Sequence, residues 1–343
     1  MAPELHIGER AVGDGHPCYV IAEACVNHNG DFATAIELVE VARAAGADAI
    51  KFQLHYVEHE MVTDATPASS NFAKPLEEII RETHLTEDQH AALIEHCERV
   101  GIQYLCTAYC REAADVLAQL GVPLFKIGSG ETLNFPLLKW IAKHGRPMLV
   151  ATGMTELAEV DEMIDVMRAT GVPFGIAHCT SEYPPVYADI NLAMLPLYKE
   201  RYGVVVGHSD HSPSIYTALG AVAFGANILE KHFTLDRGQP GPDHQVSIEP
   251  HELYELVKGT RAIEAAAGNS KRIFEREREI RAWAHHSVVT LAPIGKGVVF
   301  DEANVWVKRP GVGIPAKNLA SVMGRRATRD LPANALLAQE DIA

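Results

Sequence analysis

Between Cys18 and about residue 266 the chain repeats one unit eight times, a short apolar, β-branched run followed by a helical stretch. The runs are Tyr19–Ala24, Ala49–Gln53, Gln103–Ala108, Leu124–Ile127, Met148–Ala151, Phe174–His178, Gly203–Gly207 and Ile228–Phe233. Amphipathic patterns such as Ala33–Ala45, Glu87–Val100, Asn134–His144, Glu156–Thr170 and Ser214–Phe224 lie between them, and Pro250–Ala266 follows the last. Adjacent parallel strands need a crossover of a dozen or more residues, which a helix supplies. Eight such units close into a parallel (β/α)8 barrel of about 250 residues. An open doubly wound α/β sheet is the alternative, and the lack of GxGxxG after the first run weighs against it.

The barrel does not use the whole chain. His6 to Pro17, with a turn at Gly13-Asp14-Gly15, reads as a hairpin that plugs the barrel's N-terminal end. Gly268–Arg281 is rich in charge and reads as a linker or an exposed helix. Beyond it the short runs Ser287–Leu291, Val298–Phe300 and Val305–Val307 are broken by Pro and Gly, the pattern of a small β-rich unit. The expected division is therefore 1–267 barrel, 268–284 linker and 285–343 tail.

Charge narrows the function classes. The net charge is −15, which argues against nucleic acid as a partner. Residues 285–343 hold seven Lys/Arg and five Asp/Glu, a surplus of two positive charges, so the rest of the chain carries −17. An acidic body that binds an anion must gather its cations locally. No apolar run reaches the ~20 residues of a membrane span, and Met1–Val12 has no apolar h-region. Six cysteines without a CxxC pair read as reduced thiols in a cytoplasmic protein.

Within a parallel barrel alternate strand residues point inward, and sites form at the strands' C-terminal ends. Five runs end in charge there: Ile21-Ala22-Glu23, Lys51-Phe52-Gln53, Lys126 to Glu131, His208 to His211, and Glu230-Lys231-His232. One such residue is usually a rim salt bridge, but five strands sharing the pattern would bury an unpaired cluster unless a ligand compensates it. Lys51 and Lys126, with Thr107, Ser129 and Ser209, form a candidate pocket for a phosphate and a carboxylate. Glu23 and Glu131 are candidates to balance the lysines and move protons. His211 and His232 end neighbouring strands and are a candidate metal pair, with Asp210, Glu230 and Glu23 as nearby carboxylates. Without thiolates in that set, Mn2+ or Mg2+ is favoured over structural zinc. Cys179 beside His178 is either a Cys–His pair or an ordinary buried thiol, the latter favoured. In the loop Asp236–His244, Asp243 either sits in a plain turn or is presented to a polyhydroxylated ligand.

The motifs IAEACVNHNGD (21–31), GADAIKFQ (46–53), KIGSGE (126–131), ATGM (151–154), HCTSEYP (178–184), GHSDHS (207–212), EKHFT (230–234) and GPDH (241–244) resemble, in order and spacing, the sialic acid synthase family. KGVVFDEANVWVKRPGVGIP (296–315) resembles that family's C-terminal SAF, or antifreeze-like, domain with a β-clip fold. The resemblance implies condensation of phosphoenolpyruvate with N-acetylmannosamine or a related 2-acetamido sugar to give a nonulosonate. It also implies a divalent metal, Mn2+ first and Mg2+ or Co2+ as alternatives, and a domain-swapped homodimer. Carried over by motif, the metal ligands are His211 and His232. The phosphoenolpyruvate site is Lys51, Thr107, Lys126, Ser129, Ser181 and Ser209, with Glu23, Glu131 and Lys51 at the reacting centre. The sugar site is Gln53, Asn71, Tyr183 and Asp243, with Arg309 reaching across from the partner's tail to the acetamido group.

Some positions depart from the family pattern. Ser181 stands where some members have Asn, Ala151 replaces a hydroxyl residue before TGM, and His285-His286 replaces a basic pair at the start of the SAF domain. Trp283 sits near where a linker aromatic would touch the sugar. These leave the reaction class intact and the acceptor open, with the Pro-Gly-Pro-Asp-His loop closer to neuraminate or legionaminate synthases than to pseudaminate synthases. A synthase making a 3-deoxy-aldulosonate from a phosphorylated sugar is the rival on the same barrel. It calls for extra Arg or Lys for a second phosphate and lacks the tail.

Overall fold

The computed structural model of the chain describes residues 3–62 and 74–343. It begins with a hairpin, β1 (Glu4–Ile7) against β2 (Arg10–Gly13), antiparallel with Ile7 opposite Arg10. The reversal is at Gly8-Glu9, where Gly8 takes φ +61°, upstream of the expected turn. Gly13-Asp14-Gly15 does turn, His16 N donating to Gly13 O at 3.2 Å, but there it leads the chain out of the hairpin.

Eight parallel strands follow: β3 (Tyr19–Cys25), β4 (Ala49–Leu54), β5 (Gln103–Ala108), β6 (Phe125–Ile127), β7 (Met148–Ala151), β8 (Phe174–Cys179), β9 (Val205–Asp210) and β10 (Ile228–His232). They close into a barrel in sequence order, with β10 pairing back onto β3. The helices α1 (Phe32–Ala44), α2 (Val57–Glu60), α3 (Leu76–Glu82), α4 (Glu87–Val100), α5 (Arg111–Leu120), α6 (Phe135–Ala142), α7 (Leu157–Thr170), α8 (Met194–Tyr202), α9 (Tyr216–Ala223) and α10 (Pro250–Ala266) connect and follow the strands. Local chemistry sets their ends. Asp31 caps α1 by accepting from Ala33 N and Thr34 N, and Thr86 with Gln89 forms a capping box on α4. The seventh strand is shifted from its expected place. Gly203 is the left-handed cap of α8, while Ser209 and Asp210 pair with Glu230 and Lys231, so the polar end of the run belongs to the sheet.

The strands bury both faces, and their parity separates two cores. Val20, Ile50, Tyr104, Phe125, Val150, Ile176, Val206 and Leu229 pack among the helices. Tyr19, Ile21, Ala49, Leu105, Leu124, Leu149, Ala177, Val205 and Ile228 form one cluster with Leu5, Ile7 and Val12 of the hairpin. The hairpin therefore supplies the barrel's apolar floor, and water is excluded from below the inward residues.

Contacts divide the chain into two units, one ending at Ala267 and one running from Gly268 to Ala343. The second contains the exposed helix α11 (Glu275–Ala284), a two-stranded antiparallel ladder of β11 (Ser287–Thr290) and β12 (Val305–Lys308), and the short α12 (Leu319–Val322). Its core is Val288, Ile294, Phe300, Val305, Val322, Ala327, Leu331 and Leu337. The expected run Val298–Phe300 makes only an isolated bridge, Val299 to Arg326. Among the described residues no helix is long and apolar enough to cross a membrane.

The floor makes a direct prediction. Leu5 is 1% exposed among barrel residues, so Leu5→Ala should lower barrel stability by about 2–5 kcal/mol. Urea denaturation of the two proteins measures this, and an unchanged midpoint would show that the hairpin does not seal the barrel.

Candidate functional site

Above the floor the inward row changes from apolar to charged: Ile21 gives way to Glu23, Ala49 to Lys51, Leu105 to Thr107, Leu124 to Lys126, Val205 to Ser209 and Ile228 to Glu230. These side chains open into a cavity of about 630 Å3 at the strands' C-terminal ends. The cavity is lined by Glu23, Lys51, Gln53, Thr107, Lys126, Ser129, Glu131, Ser181, Tyr183, Ser209, His211, His232 and Asp243, every expected site residue except two. Asn71 lies outside the described residues. Arg309 belongs to the second unit, where its Nε donates to Ala284 O at 3.1 Å and its guanidinium lies over Trp283.

Four charged groups form the bottom of this cavity. Lys51 Nζ pairs with Glu23 Oε2, donates to Thr107 Oγ1 at 2.8 Å and lies 3.9 Å from Glu230 Oε2. Lys126 Nζ is 3.1 Å from Glu230 Oε1, which also accepts from Ser209 Oγ at 2.9 Å. Burial opposes ionisation of Glu230, but the two lysines and the hydroxyl outweigh it and hold this carboxyl at about 2. In Glu23, burial wins over Lys51, and the Glu230 charge adds to it, raising that carboxyl to about 7. Glu230 is thus held ionised, while Glu23 is pushed towards its protonated form, an arrangement that suits acid–base chemistry. When Glu23 takes a proton, the cluster gains positive charge, which suits an anion.

A second group of donors lies beside the lysines. Gly153 N donates to Ser129 Oγ at 3.1 Å. A Cβ on Gly153 would run into Ser181 Oγ and come within 2.7 Å of Ser129 Oγ. Only glycine lets the backbone approach both hydroxyls. Glu131 sits on the same wall, its Oε2 buried and without a hydrogen-bond partner. Burial, with the Glu60 carboxylate behind it, raises Glu131 to about 7.

The same cavity carries the metal-capable groups. The His211 and His232 rings lie 5.1 Å apart at 81°, and Tyr183 stacks on His211 at 4.3 Å. Burial, then the His211 charge, holds His232 well below the usual imidazole range, so its lone pair is available to an ion. The Nδ1 atoms of both histidines are buried without hydrogen-bond partners. Cys25, His232 and Asp243 each offer a ligand atom within 4.8 Å of the others. Imidazole, carboxylate and thiol donors at a barrel mouth fit a divalent ion.

Two expectations about this wall change. Asp210 does not face the histidines. Being of outward parity, it pairs with Lys231 Nζ at 3.2 Å and accepts from Ser212 N at 2.8 Å and Thr217 Oγ1 at 2.6 Å. This buried pair ties together the residues that precede His211 and His232. The donor set also contains a thiol: Cys25 lies two positions beyond Glu23 on the inward row, and its Sγ donates to Asp243 Oδ2 at 2.8 Å. Cys179 lies 3.8 Å from His211 Nε2, whereas His178 turns outward and its Nε2 bonds Ile190 O. Asp243 is buried against the cavity, so its loop is more than a plain turn.

Sequence reasoning also passed over what orients Gln53. His55 Nε2 is 2.9 Å from Gln53 Oε1, and His55 Nδ1 is 2.8 Å from Glu60 Oε2. The His55 ring stacks on Tyr109 at 4.1 Å. The chain holds the amide oxygen of Gln53, leaving its NH2 for a ligand. The signal was present in the spacing, since Gln53 and His55 share one parity.

The NeuB family model matches residues 38–272 and the SAF domain model residues 285–343. The chain belongs to the NeuB family. It is a sialic acid synthase-type enzyme with a SAF domain at its C-terminal end. N,N'-diacetyllegionaminic acid synthase of Campylobacter jejuni is 37% identical over 93% of the chain and 98% of its own length. N-acetylneuraminate-9-phosphate synthase of Homo sapiens is 34% identical over 92% and 90%. The crystal structure of N-acetylneuraminic acid synthetase from Leptospira borgpetersenii, in complex with citrate, superposes with a TM-score of 0.73 at 31% identity, covering 82% of the chain and 95% of that protein.

The Glu131 environment gives a pH signature. Its folded value, about 7, lies above the ordinary 4.5. Between those values the unfolded carboxyl ionises while the folded one stays protonated, so stability present below pH 4.5 is lost as pH rises through 7. The loss is on the order of 3 kcal/mol for such a shift. Relative to wild type, Glu131→Gln should gain thermal stability at pH 8 and much less at pH 4.5. Scanning calorimetry at both pH values tests it, and equal differences would mean that Glu131 is not ionisation-linked.

Proposed function

We propose that the enzyme condenses phosphoenolpyruvate with an unphosphorylated 2-acetamido hexose of the N-acetylmannosamine type, releasing phosphate and a nonulosonate. One observation carries this reading: the cavity joins a compact anion site around Lys51 and Lys126 to a metal-capable wall, with Glu131 and Glu23 poised near neutrality between water and charge. Among the described lining residues Lys51 and Lys126 are the only ammonium or guanidinium groups. Two cations suit one phosphate and one carboxylate, and among the described lining residues of this chain no further Lys or Arg is left over for a second phosphate; Arg309 from another chain is assigned to the acetamido group. This disfavours the 3-deoxy-aldulosonate reading and a phosphorylated acceptor.

Lys51 and Lys126 hold the enol phosphate's anionic groups, and Ser129, Ser181, Ser209 and Thr107 supply hydroxyl donors. Gln53, Tyr183 and Asp243 face the acceptor, where the apolar residues Met61, Leu76 and Ile80 give its methyl group a wall. His211 and His232 would hold a divalent ion, which when bound supplies Lewis-acid polarisation of the acceptor aldehyde. C3 of phosphoenolpyruvate forms the new bond to that aldehyde carbon with the C2–C3 π pair, and the aldehyde oxygen takes its proton from protonated Glu23. Water adds to the C2 cation so formed and gives one proton to ionised Glu131. The C2–O bond to phosphate then breaks, phosphate leaving with the electron pair and taking the proton of the remaining C2 hydroxyl, which becomes the ketone. Holding two reactants face to face in a rigid mouth is a positioning task worth several kcal/mol of the barrier.

Incubation with phosphoenolpyruvate, Mn2+ and a panel of 2-acetamido sugars, with and without 6-phosphate, should give a product whose mass identifies the acceptor. Chelator should abolish turnover, and His211→Ala and His232→Ala should each lower it at least about a hundredfold, the scale of losing one electrostatic stabiliser. Product formed only from the phosphorylated sugar would refute the acceptor assignment, and full activity in chelator would refute the metal pair. Gly153→Ala should raise the KM for phosphoenolpyruvate and leave that for the sugar nearly unchanged.

The proposal includes the tail in trans, Arg309 of one chain serving the acceptor site of another in a two-fold dimer. Mixing Arg309→Ala chains with Lys51→Ala chains should then restore activity towards about a quarter of wild type under random exchange. No recovery despite exchange seen by native mass spectrometry would remove that part.

A further inference from the structure

The thiol of Cys25 is not needed by the reaction just described, yet it is placed with care. Cys25 ends β3 at a register irregularity against β4, with φ +49°. Side chains other than glycine's are uncommon in that left-handed region. The chain nevertheless carries a cysteine there, 4% exposed, on the inward row above Glu23. Its Sγ donates to Asp243 Oδ2 at 2.8 Å, and Sγ, an Asp243 oxygen and a His232 ring nitrogen lie within 4.8 Å of one another. These residues come from three separate places in the chain: the end of β3, the end of β10 and the loop after it. His232 and Asp243 are also largely buried, at 5% and 8% exposure.

We propose that Cys25, His232 and Asp243 form a thiolate–imidazole–carboxylate site for a thiophilic divalent ion of the zinc or cobalt class, with His211 completing it as the fourth donor. The inference rests on the metal-capable wall of the reading above and adds two ligands to its histidine pair, Asp243, which then serves the ion as well as the acceptor, and Cys25, whose sulfur changes the selectivity. The dimensions are suitable. Bonds of about 2.3 Å to sulfur and 2.0–2.2 Å to nitrogen and oxygen put tetrahedral ligand atoms roughly 3.3–3.6 Å apart. The Cys25–Asp243 hydrogen bond must open by less than about 1 Å to admit the ion, with the thiol proton released to solvent as the S–M bond forms. The His211 ring stands 5.1 Å from that of His232. Thiolate ligands favour zinc-class ions, and purely oxygen and nitrogen sets favour manganese and magnesium. Cys25 therefore sets which ion the site retains when several compete.

Anaerobic titration of chelator-stripped, full-length protein with Co2+ tests this. Wild type should show visible ligand-field bands together with a sulfur-to-cobalt charge-transfer band in the near ultraviolet. Cys25→Gly suits the left-handed backbone, and Cys25→Ser keeps the side chain's size. Both should lose the ultraviolet band. Zn2+ affinity by competition with a chromophoric chelator should fall in both by at least about tenfold, the loss produced even by outer-sphere partners of a metal. Mn2+ affinity should change no more than about twofold. Cys179 lies 3.8 Å from His211 Nε2, so Cys179→Ala is the necessary control and should keep the band. A band lost in Cys179→Ala and kept in Cys25→Gly would overturn the assignment. So would visible bands in wild type with no charge-transfer band, an outcome that leaves the His211–His232 pair standing. No cobalt binding at all would overturn both the thiolate site and the metal part of the proposed function.

Discussion

Glu230 held between Lys51 and Lys126 is the interaction on which the site depends. Moving ions of this size out of water costs several kcal/mol each, even in relaxed protein interiors. The barrel offsets that cost by geometry: one carboxylate receives two ammonium groups and the Ser209 hydroxyl at 2.9–3.9 Å. Its charge is then committed, and Glu23 becomes the group whose state can vary. An anion arriving at the lysines meets a pocket already desolvated and aligned, so little reorganisation accompanies binding. Removing Glu230 would leave two buried cations to repel each other, which is why the cluster has to be read as a unit.

The parity of the strands does two jobs with one sequence. At positions 210 and 231 the side chains point outward and form a buried ion pair among the helices, while 211 and 232 point inward as candidate ligands. The outward pair pins the backbone from which both imidazoles project. Lys231 also bonds Ser212 O and Ser212 Oγ, so the residues on both sides of His211 are tied down. A ligand held to a fraction of an ångström needs this kind of supporting layer. The apolar floor has a similar effect from below: with Leu5, Ile7 and Val12 filling the barrel, the lysines cannot relax towards water on that side.

Most of this was legible from period-two reasoning. Eight βα units and their charged strand ends gave the barrel, the lysine cluster and the histidine pair, because parity in a parallel strand is fixed by local geometry. What sequence reasoning misplaced depends on longer-range facts. Adjacency in the chain groups Asp210 with the histidines, although neighbouring residues in a strand face opposite ways. The hairpin closed at Gly8 because the register of Leu5 and Val12 with the barrel floor, and not the more conspicuous Gly-Asp-Gly, decides where the chain reverses. In the sequence Cys25 is one of six scattered thiols. Its meeting with Asp243 across 218 residues is a tertiary fact that no local pattern encodes.

The same distinction explains why the reaction class is easier to read than the acceptor. The groups proposed to bind the anion sit mainly on strands or at their first turns, where backbone hydrogen bonding to two neighbours fixes each Cβ. The groups proposed to face the acceptor reach the cavity from less regular places: Gln53 through a relay from Glu60 and His55, Tyr183 from the connection after β8, Asp243 from the loop after β10. Their positions depend on side-chain hydrogen bonds and ring stacking, each worth only about a kcal/mol, so small sequence changes can re-aim them. Chemistry common to a family should therefore reside in the strands, and discrimination among sugars in the relays that orient loop residues. By that reasoning His55, which touches Gln53 and forms part of the cavity wall, would bear on acceptor choice, under the proposed function, through the amide it holds in place.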